Sequence, residues 1–207
     1  MKRKNFLMLM ALFCSTGIFA QLGIKAGLNI ANEIRSFNQS DVAASFKSSN
    51  LTGYQIGLVY QAMPKKSGMG VEIGALLSQK GSSFHFDSIN ANNVLRNGYK
   101  EINYLEVPLN IRYHLILGLV GVYGFGGIYG GCALNGSTVT ESTSTTEKET
   151  YKTFADRVDY GYNFGAGVEL FRKIQLGSTW SKGIKSTTNN SSSFKNKVFT
   201  MNLVYMF

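Results

Sequence analysis

A side-chain pattern of period two runs through most of this chain, and it restricts the fold to a sheet with two unlike faces. In residues 105–115, Leu105, Val107, Leu109, Ile111, Tyr113 and Leu115 alternate with Glu106, Pro108, Asn110, Arg112 and His114. Successive side chains of a strand point to opposite faces, so the two sets separate cleanly; a helix would mix them. Leu22, Ile24, Ala26, Leu28 and Ile30 likewise alternate with Gly23, Lys25, Gly27 and Asn29. The same reading holds for 54–61, 71–78, 160–170, 174–183 and 199–207. Segment 119–134 is apolar on both faces, with Tyr123, Phe125 and Tyr129 on one and Gly124, Gly126 and Gly130 on the other. There the glycines are expected to point inward.

Eight such segments result, an even number, as closure of an antiparallel membrane barrel requires. Six large apolar residues in succession on one face need a covering, and lipid supplies it while the other face lines a polar interior. Connector lengths agree. Residues 31–53, 81–101, 135–159 and 184–196 are long and polar, while the links near 63–69, 116–118 and 171–173 are short. Outer-membrane barrels alternate long extracellular loops with short periplasmic turns, which places both chain ends in the periplasm. A soluble barrel of lipocalin type would carry its apolar set inside and lack that alternation. The expected fold is all-β: an eight-stranded antiparallel up-and-down transmembrane β-barrel over residues 21–207.

The first twenty residues read as an address. Lys2, Arg3 and Lys4 precede an apolar run from Phe6 to Ala20, too short for a membrane helix and suited to a cleaved signal peptide, residues 1–20. Cys14 does not make a lipoprotein, because Phe13 before it is too bulky for that signal. No later stretch is long and apolar enough for a transmembrane helix. Processing leaves 18 basic residues against 12 acidic ones, scattered rather than striped with aromatics, so no nucleic acid is expected as a partner. Lipid headgroups and lipopolysaccharide phosphates account for the excess more simply. Cys132 is then the remaining thiol, which excludes an internal disulfide and a thiolate metal centre.

Gly23-Ile-Lys-Ala-Gly-Leu-Asn29, Leu77-Ser-Gln-Lys-Gly81 and Tyr104-Leu-Glu-Val-Pro-Leu109 resemble motifs of the small outer-membrane β-barrel, or "porin family", proteins of Bacteroidota. A glycine-rich fifth strand and the terminal Tyr205-Met-Phe207 also match, so the resemblance covers essentially the whole mature chain. It implies an OmpX/OmpA-type barrel in the bacterial outer membrane, inserted by the barrel-assembly machinery, with Phe207 in the insertion signal. A monomer in contact with outer-membrane lipids and lipopolysaccharide is expected. The family name is at odds with the strand number: eight strands leave a lumen that side chains fill, whereas open channels belong to barrels of about sixteen.

The inward ionisable set is Lys25, Glu72, Lys80, Glu106, Arg112, His114 and Glu169. A polar network filling the lumen is the expected role, since buried charges must pair. Glu106 with Arg112 and Lys25 is the pairing this reading favours. A proton path or paired-carboxylate site is the sharper alternative. His85 lies in a loop beside Ser82 and Ser83, and neither it nor His114 has a strand-fixed serine and carboxylate at hydrolase spacing. An enzyme, for example one that modifies lipid, is therefore the distant alternative, and no cofactor or zinc site is expected. Pro108 in mid-strand predicts a bulge or bend. Tyr104, Tyr113, Tyr123, Tyr160 and Trp180 are expected in interfacial girdles. The functional expectation is a plugged barrel with a structural or surface-contact role through its long loops. A narrow pore for water or small ions is the alternative.

Overall fold

The alternating segments pair edge to edge, and the first and last meet. A computed structural model describes residues 18–37, 46–86, 96–140, 145–148, 154–184, 187–189 and 192–207. The barrel wall consists of β1 (Ile18–Phe37), β2 (Phe46–Pro64), β3 (Gly68–Phe86), β4 (Arg96–Leu117), β5 (Val120–Thr140), β7 (Val158–Leu170), β8 (Ile174–Gly183) and β10 (Ser192–Met206). Short strands β6 (Thr145–Lys148) and β9 (Thr187–Asn189) add to β5 and β10. A single helical turn, α1 (Phe154–Arg157), precedes β7. Every strand of the wall pairs antiparallel with its neighbours in chain order, and β1–β10 pairing closes the barrel. Closure removes both sheet edges, so no row of backbone N–H and C=O groups is left facing lipid.

The register fixes the barrel's dimensions. Stepping through partners from Leu22 to Tyr60, Ile73, Leu109, Ile128, Tyr162, Lys182 and Lys197 returns to β1 at Asn32, a stagger of ten residues. Eight strands with that stagger tilt by about 40° and place the Cα atoms on a cylinder of about 8 Å radius. Long side chains from opposite walls can therefore meet.

Facing follows the period-two pattern in seven of the eight strands. Leu28, Ile56, Leu109, Ile111 and Met201 lie on the outer surface, while Glu72, Glu106, Arg112 and Glu169 are buried in the lumen. The eighth, β5, faces opposite to expectation. Tyr123 and Tyr129 are buried in the lumen, and Gly126 and Gly130 lie outside. The cause sits on the adjacent strand. Tyr123, Phe125 and Tyr129 pair directly with Gly167, Gly165 and Gly161 of β7. A Cβ at Gly165 would fall 2.8 Å from Phe125 Cε1, and one at Gly161 2.8 Å from Tyr129 Cε1. Each ring occupies the space that an inward glycine leaves. Two facing glycine columns would instead have left a void, which a packed interior does not tolerate.

The strands also run much further than the alternation suggested. β1 to β5 have 19 to 22 residues, against the 9–11 that cross a bilayer, so much of 31–53, 81–101 and 135–159 is strand rather than loop. The links at 65–67, 118–119 and 171–173 are short, as expected. Pro108 causes no register shift: β3–β4 pairing lapses between Ile73↔Leu109 and Leu76↔Glu106 and resumes in phase. The shifts lie elsewhere, with Leu134 extra in β5 beside Asn103/Tyr104 and one residue extra in β2 between Asn50 and Gln55. β1 begins at Ile18, so three residues before the expected cleavage point pair with Ala62–Pro64.

Candidate functional site: the polar lumen

Among the described residues, the lumen holds two charged clusters. The one nearer the short turns centres on Glu72 of β3. Arg112 Nη1 of β4 donates to Glu72 Oε2 at 2.9 Å, Gln61 Nε2 of β2 donates to the same oxygen at 2.7 Å, and Asn110 Nδ2 donates to Oε1 at 3.2 Å. Gln61 and Gln175 exchange amide hydrogen bonds at 3.0 Å in both directions, and Gln175 Nε2 donates to Glu169 Oε2 at 3.0 Å. β2 and β8 are three strands apart around the wall, so this glutamine pair bridges the lumen itself. Arg112 completes its surroundings with the face of Tyr123, 3.5 Å from ring centre to guanidinium carbon. That geometry is a cation–π contact, and it explains why an aromatic belongs inside at this level. Lys25 is buried and attracts Glu72 electrostatically.

The second cluster lies toward the loops. Lys80 of β3 forms ion pairs with Glu106 of β4 and, at 3.5 Å, with Asp159 of β7. Its ammonium sits 4.3 Å from the Tyr129 ring centre and 5.3 Å from that of Tyr104. Tyr129 OH donates to Asp159 Oδ2 at 3.3 Å, and Asn196 Nδ2 donates to the same oxygen at 2.9 Å. Between the clusters, Thr200 Oγ1 donates to Asn29 Oδ1 at 2.8 Å, and Asn29 Nδ2 donates to Ser78 Oγ at 3.1 Å. The residual space beside Glu106, Asn110 and Asn163 is about 10 Å³, room for one water molecule at most. Apolar Val59, Leu76, Val204 and Met206 pack together against the wall of the same interior.

The geometry reassigns the partners expected from sequence. Arg112 bonds Glu72, not Glu106, and Glu106 takes Lys80. On one strand, Glu106 and Arg112 are six residues apart, too far along the barrel axis to share a level. His114 stands apart from both clusters: its Nε2 lies 2.9 Å from the carbonyl oxygen of Lys66 in the turn, so it fastens the turn-side rim. His85 pairs through its backbone with Lys47 and Asn97 in β3, rather than in a loop. Tyr104 and Tyr123 are lumenal and belong to no girdle, while Tyr113, Tyr160 and Trp180 are exposed on the outer face. Asp159 is the lumenal carboxylate that the sequence reading placed in a loop. It continues the inward column of Gly161 and Asn163 by one step, and that step was the signal for it. Phe207 packs edge-on against Tyr205, centroids 5.7 Å apart, and its N–H donates to the Leu22 carbonyl at 2.9 Å.

A closed antiparallel barrel with an apolar exterior and a charged, filled interior defines an outer-membrane barrel. The chain matches the family described as "Outer membrane protein beta-barrel domain" over residues 15–189, and it belongs to that family. Among solved structures it is similar to OprG of Pseudomonas aeruginosa at 12% identity, covering 93% of this chain and 98% of that one, with a TM-score of 0.49. It is also similar to Ail, the attachment invasion locus protein of Yersinia pestis, at 15% identity, covering 91% and 99%, with a TM-score of 0.45. Outer Membrane Protein W of E. coli follows at 12% identity, covering 93% and 100%, with a TM-score of 0.41. No curated protein matches.

Proposed function

We propose that this protein is a plugged outer-membrane barrel that acts through its loop-side surface, as a structural or surface-contact element rather than as a conduit. The observation that carries this reading is the Gln61–Gln175 pair, in which side chains from opposite walls meet at 3.0 Å beside the Glu72–Arg112 ion pair. An ion crossing that level must part the amides and strip water beside two charges, and each such group is costly to leave unpaired. Wall strands that outrun the bilayer support the second half of the proposal, because they carry a stiff β platform beyond the headgroups. A platform of paired backbone presents loops to other surfaces at a fixed height. No catalytic role is proposed for His114, whose ring is committed to the turn.

Planar-bilayer recording of the purified, refolded protein tests the plug. The expected trace has no single-channel steps at any voltage that the bilayer tolerates. Reproducible steps whose size changes in Glu72→Gln or Arg112→Met would overturn the proposal in favour of a narrow pore. Binding of whole cells to host or bacterial surfaces, with and without the 87–95 and 141–153 segments, tests the contact role. Equal binding by both forms would remove it.

A further inference from the structure

On the lipid-facing surface, β7, β8, β10 and β1 form registered rows. Phe164, Trp180, Phe199 and Ile30 make one row, and Tyr162, Lys182, Lys197 and Asn32 make the next toward the loops. Three residues of the lower row are aromatic: Trp180 stacks on Phe164 with ring centres 5.7 Å apart and meets Phe199 at a tilt, 5.0 Å away. Such a belt marks the boundary between hydrocarbon and headgroups. The lysines therefore stand at headgroup height on the loop side, which is the outer leaflet.

Lys182 and Lys197 are direct cross-strand partners, and both are exposed on the outer face. Like charges opposite one another destabilise a strand pair. Neither lysine has an ion-pair or hydrogen-bond partner among the described residues. Lys195, two residues further along β10, adds a third positive charge on the same face. No described residue accounts for placing these charges together, but an external anion at that height does.

Two rows below the lysines, the surface carries an apolar groove. It is lined by the small residues Ala26 and Ser178 together with Leu28, Tyr54, Phe199 and Met201. A concave apolar track suits an acyl chain. Two lysines stand two rows above that track, beyond Trp180 and Phe199, within the length of an acylated lipid whose head is anionic.

We propose that this face is a specific seat for the lipid A portion of lipopolysaccharide. One acyl chain lies in the Ala26–Ser178 groove and a phosphate bridges Lys182 and Lys197. Charge complementarity and leaflet select this occupant: the seat faces the outer leaflet, where a phosphorylated, multiply acylated lipid is the abundant anion. The inference rests on the outer-membrane setting and is independent of the loop-contact reading, so cell-binding results leave it untouched.

Native mass spectrometry of the mature protein, titrated with purified lipid A, dephosphorylated lipid A and phosphatidylglycerol, reads the site directly. Phosphorylated lipid A is expected to bind at least tenfold more tightly than either control. Replacing one lysine by Gln should weaken binding roughly fivefold and K182Q/K197Q about thirtyfold, the worth of basic residues at an anionic surface. Ser178→Phe, which fills the groove, should weaken lipid A binding about tenfold. A retained heat-dependent electrophoretic shift verifies that each variant is folded. R172Q/K173Q, at the opposite rim, should bind like wild type. Wild-type affinity in K182Q/K197Q, equal binding of the dephosphorylated lipid or of phosphatidylglycerol, or equal weakening in R172Q/K173Q would each overturn the proposal.

Discussion

Glu72 and Arg112 measure whether the lumen is dry. Both side chains are buried to within 3% and are joined at 2.9 Å. Glu72→Gln leaves the guanidinium facing a neutral amide, and Arg112 Nε and Nη2 already lack hydrogen-bond partners among the described residues. Arg112→Met leaves the carboxylate with the Gln61 and Asn110 donors and with Lys25 nearby. Breaking a buried pair from one side costs about 3–5 kcal/mol, so Glu72→Gln should fall in the upper part of that range and Arg112→Met in the lower. The double variant removes both charges together and should cost less than the sum of its parents by about 2–3 kcal/mol. Urea unfolding in phospholipid vesicles measures all four free energies. Trp180, the one tryptophan of the chain, sits on the lipid face and reports the transition by its emission. In an open, watered lumen the same pair would be screened and worth at most about 1 kcal/mol. Single variants that each cost less than that, with additive effects, would refute the packed lumen.

Three further outcomes follow from particular contacts. Gly167→Ala should destabilise by about 1–3 kcal/mol because its Cβ would fall 2.6 Å from Tyr123 Cζ, whereas Gly130→Ala, with open space around it, should change stability by less than about 0.5 kcal/mol in the same unfolding assay. Equal effects would restore the opposite facing of β5. At the 171–173 turn, Phe171 and Arg172 both hold positive φ, 54° and 57°, a conformation that costs a side chain about 1–2 kcal/mol. Arg172→Gly should recover about 1 kcal/mol of that, seen as a higher urea midpoint. Deleting Phe207 should lower the yield of membrane-inserted protein in cells while leaving refolding into vesicles largely intact, and equal loss in both would assign it a folding role instead.

The barrel itself was legible because lipid and lumen impose opposite chemistry on alternate residues, and 105–115 displays that contrast without ambiguity. Strand β5 was not legible by the same rule: its two columns are both apolar, so no contrast separates them. Its facing is decided by β7, where inward Gly161, Gly165 and Gly167 demand large partners. Partner choice among charges was hidden for a related reason. Alternation says which residues enter the lumen but not at what height, and height depends on the ten-residue stagger, which only pairing across all eight strands defines. Glu72 and Arg112 come level because Glu72↔Asn110 and Gly70↔Arg112 are registered pairs. Strand length was hidden because polar residues above the bilayer pair as well as apolar ones but lose the alternation that marks a strand.

In the proposed plug, side chains close the lumen, and removing them tests it. Gln61 and Gln175 meet across the interior, with Tyr123 and Arg112 stacked beside them. The backbone cylinder of about 8 Å radius is wide enough for water once these groups are gone. Gln61→Ala with Gln175→Ala and Tyr123→Ala deletes the bridge and one ring while retaining the Glu72–Arg112 pair. That variant should show small, cation- or anion-selective steps in planar bilayers where wild type shows none, and osmotic swelling of loaded liposomes should accelerate. An ion would then also pass the loop-side cluster of Lys80, Glu106 and Asp159, so Lys80→Met on the same background should shift the selectivity toward cations. A triple variant that folds, shows its heat shift and stays electrically silent would place the seal above the membrane and not in the side chains of the lumen.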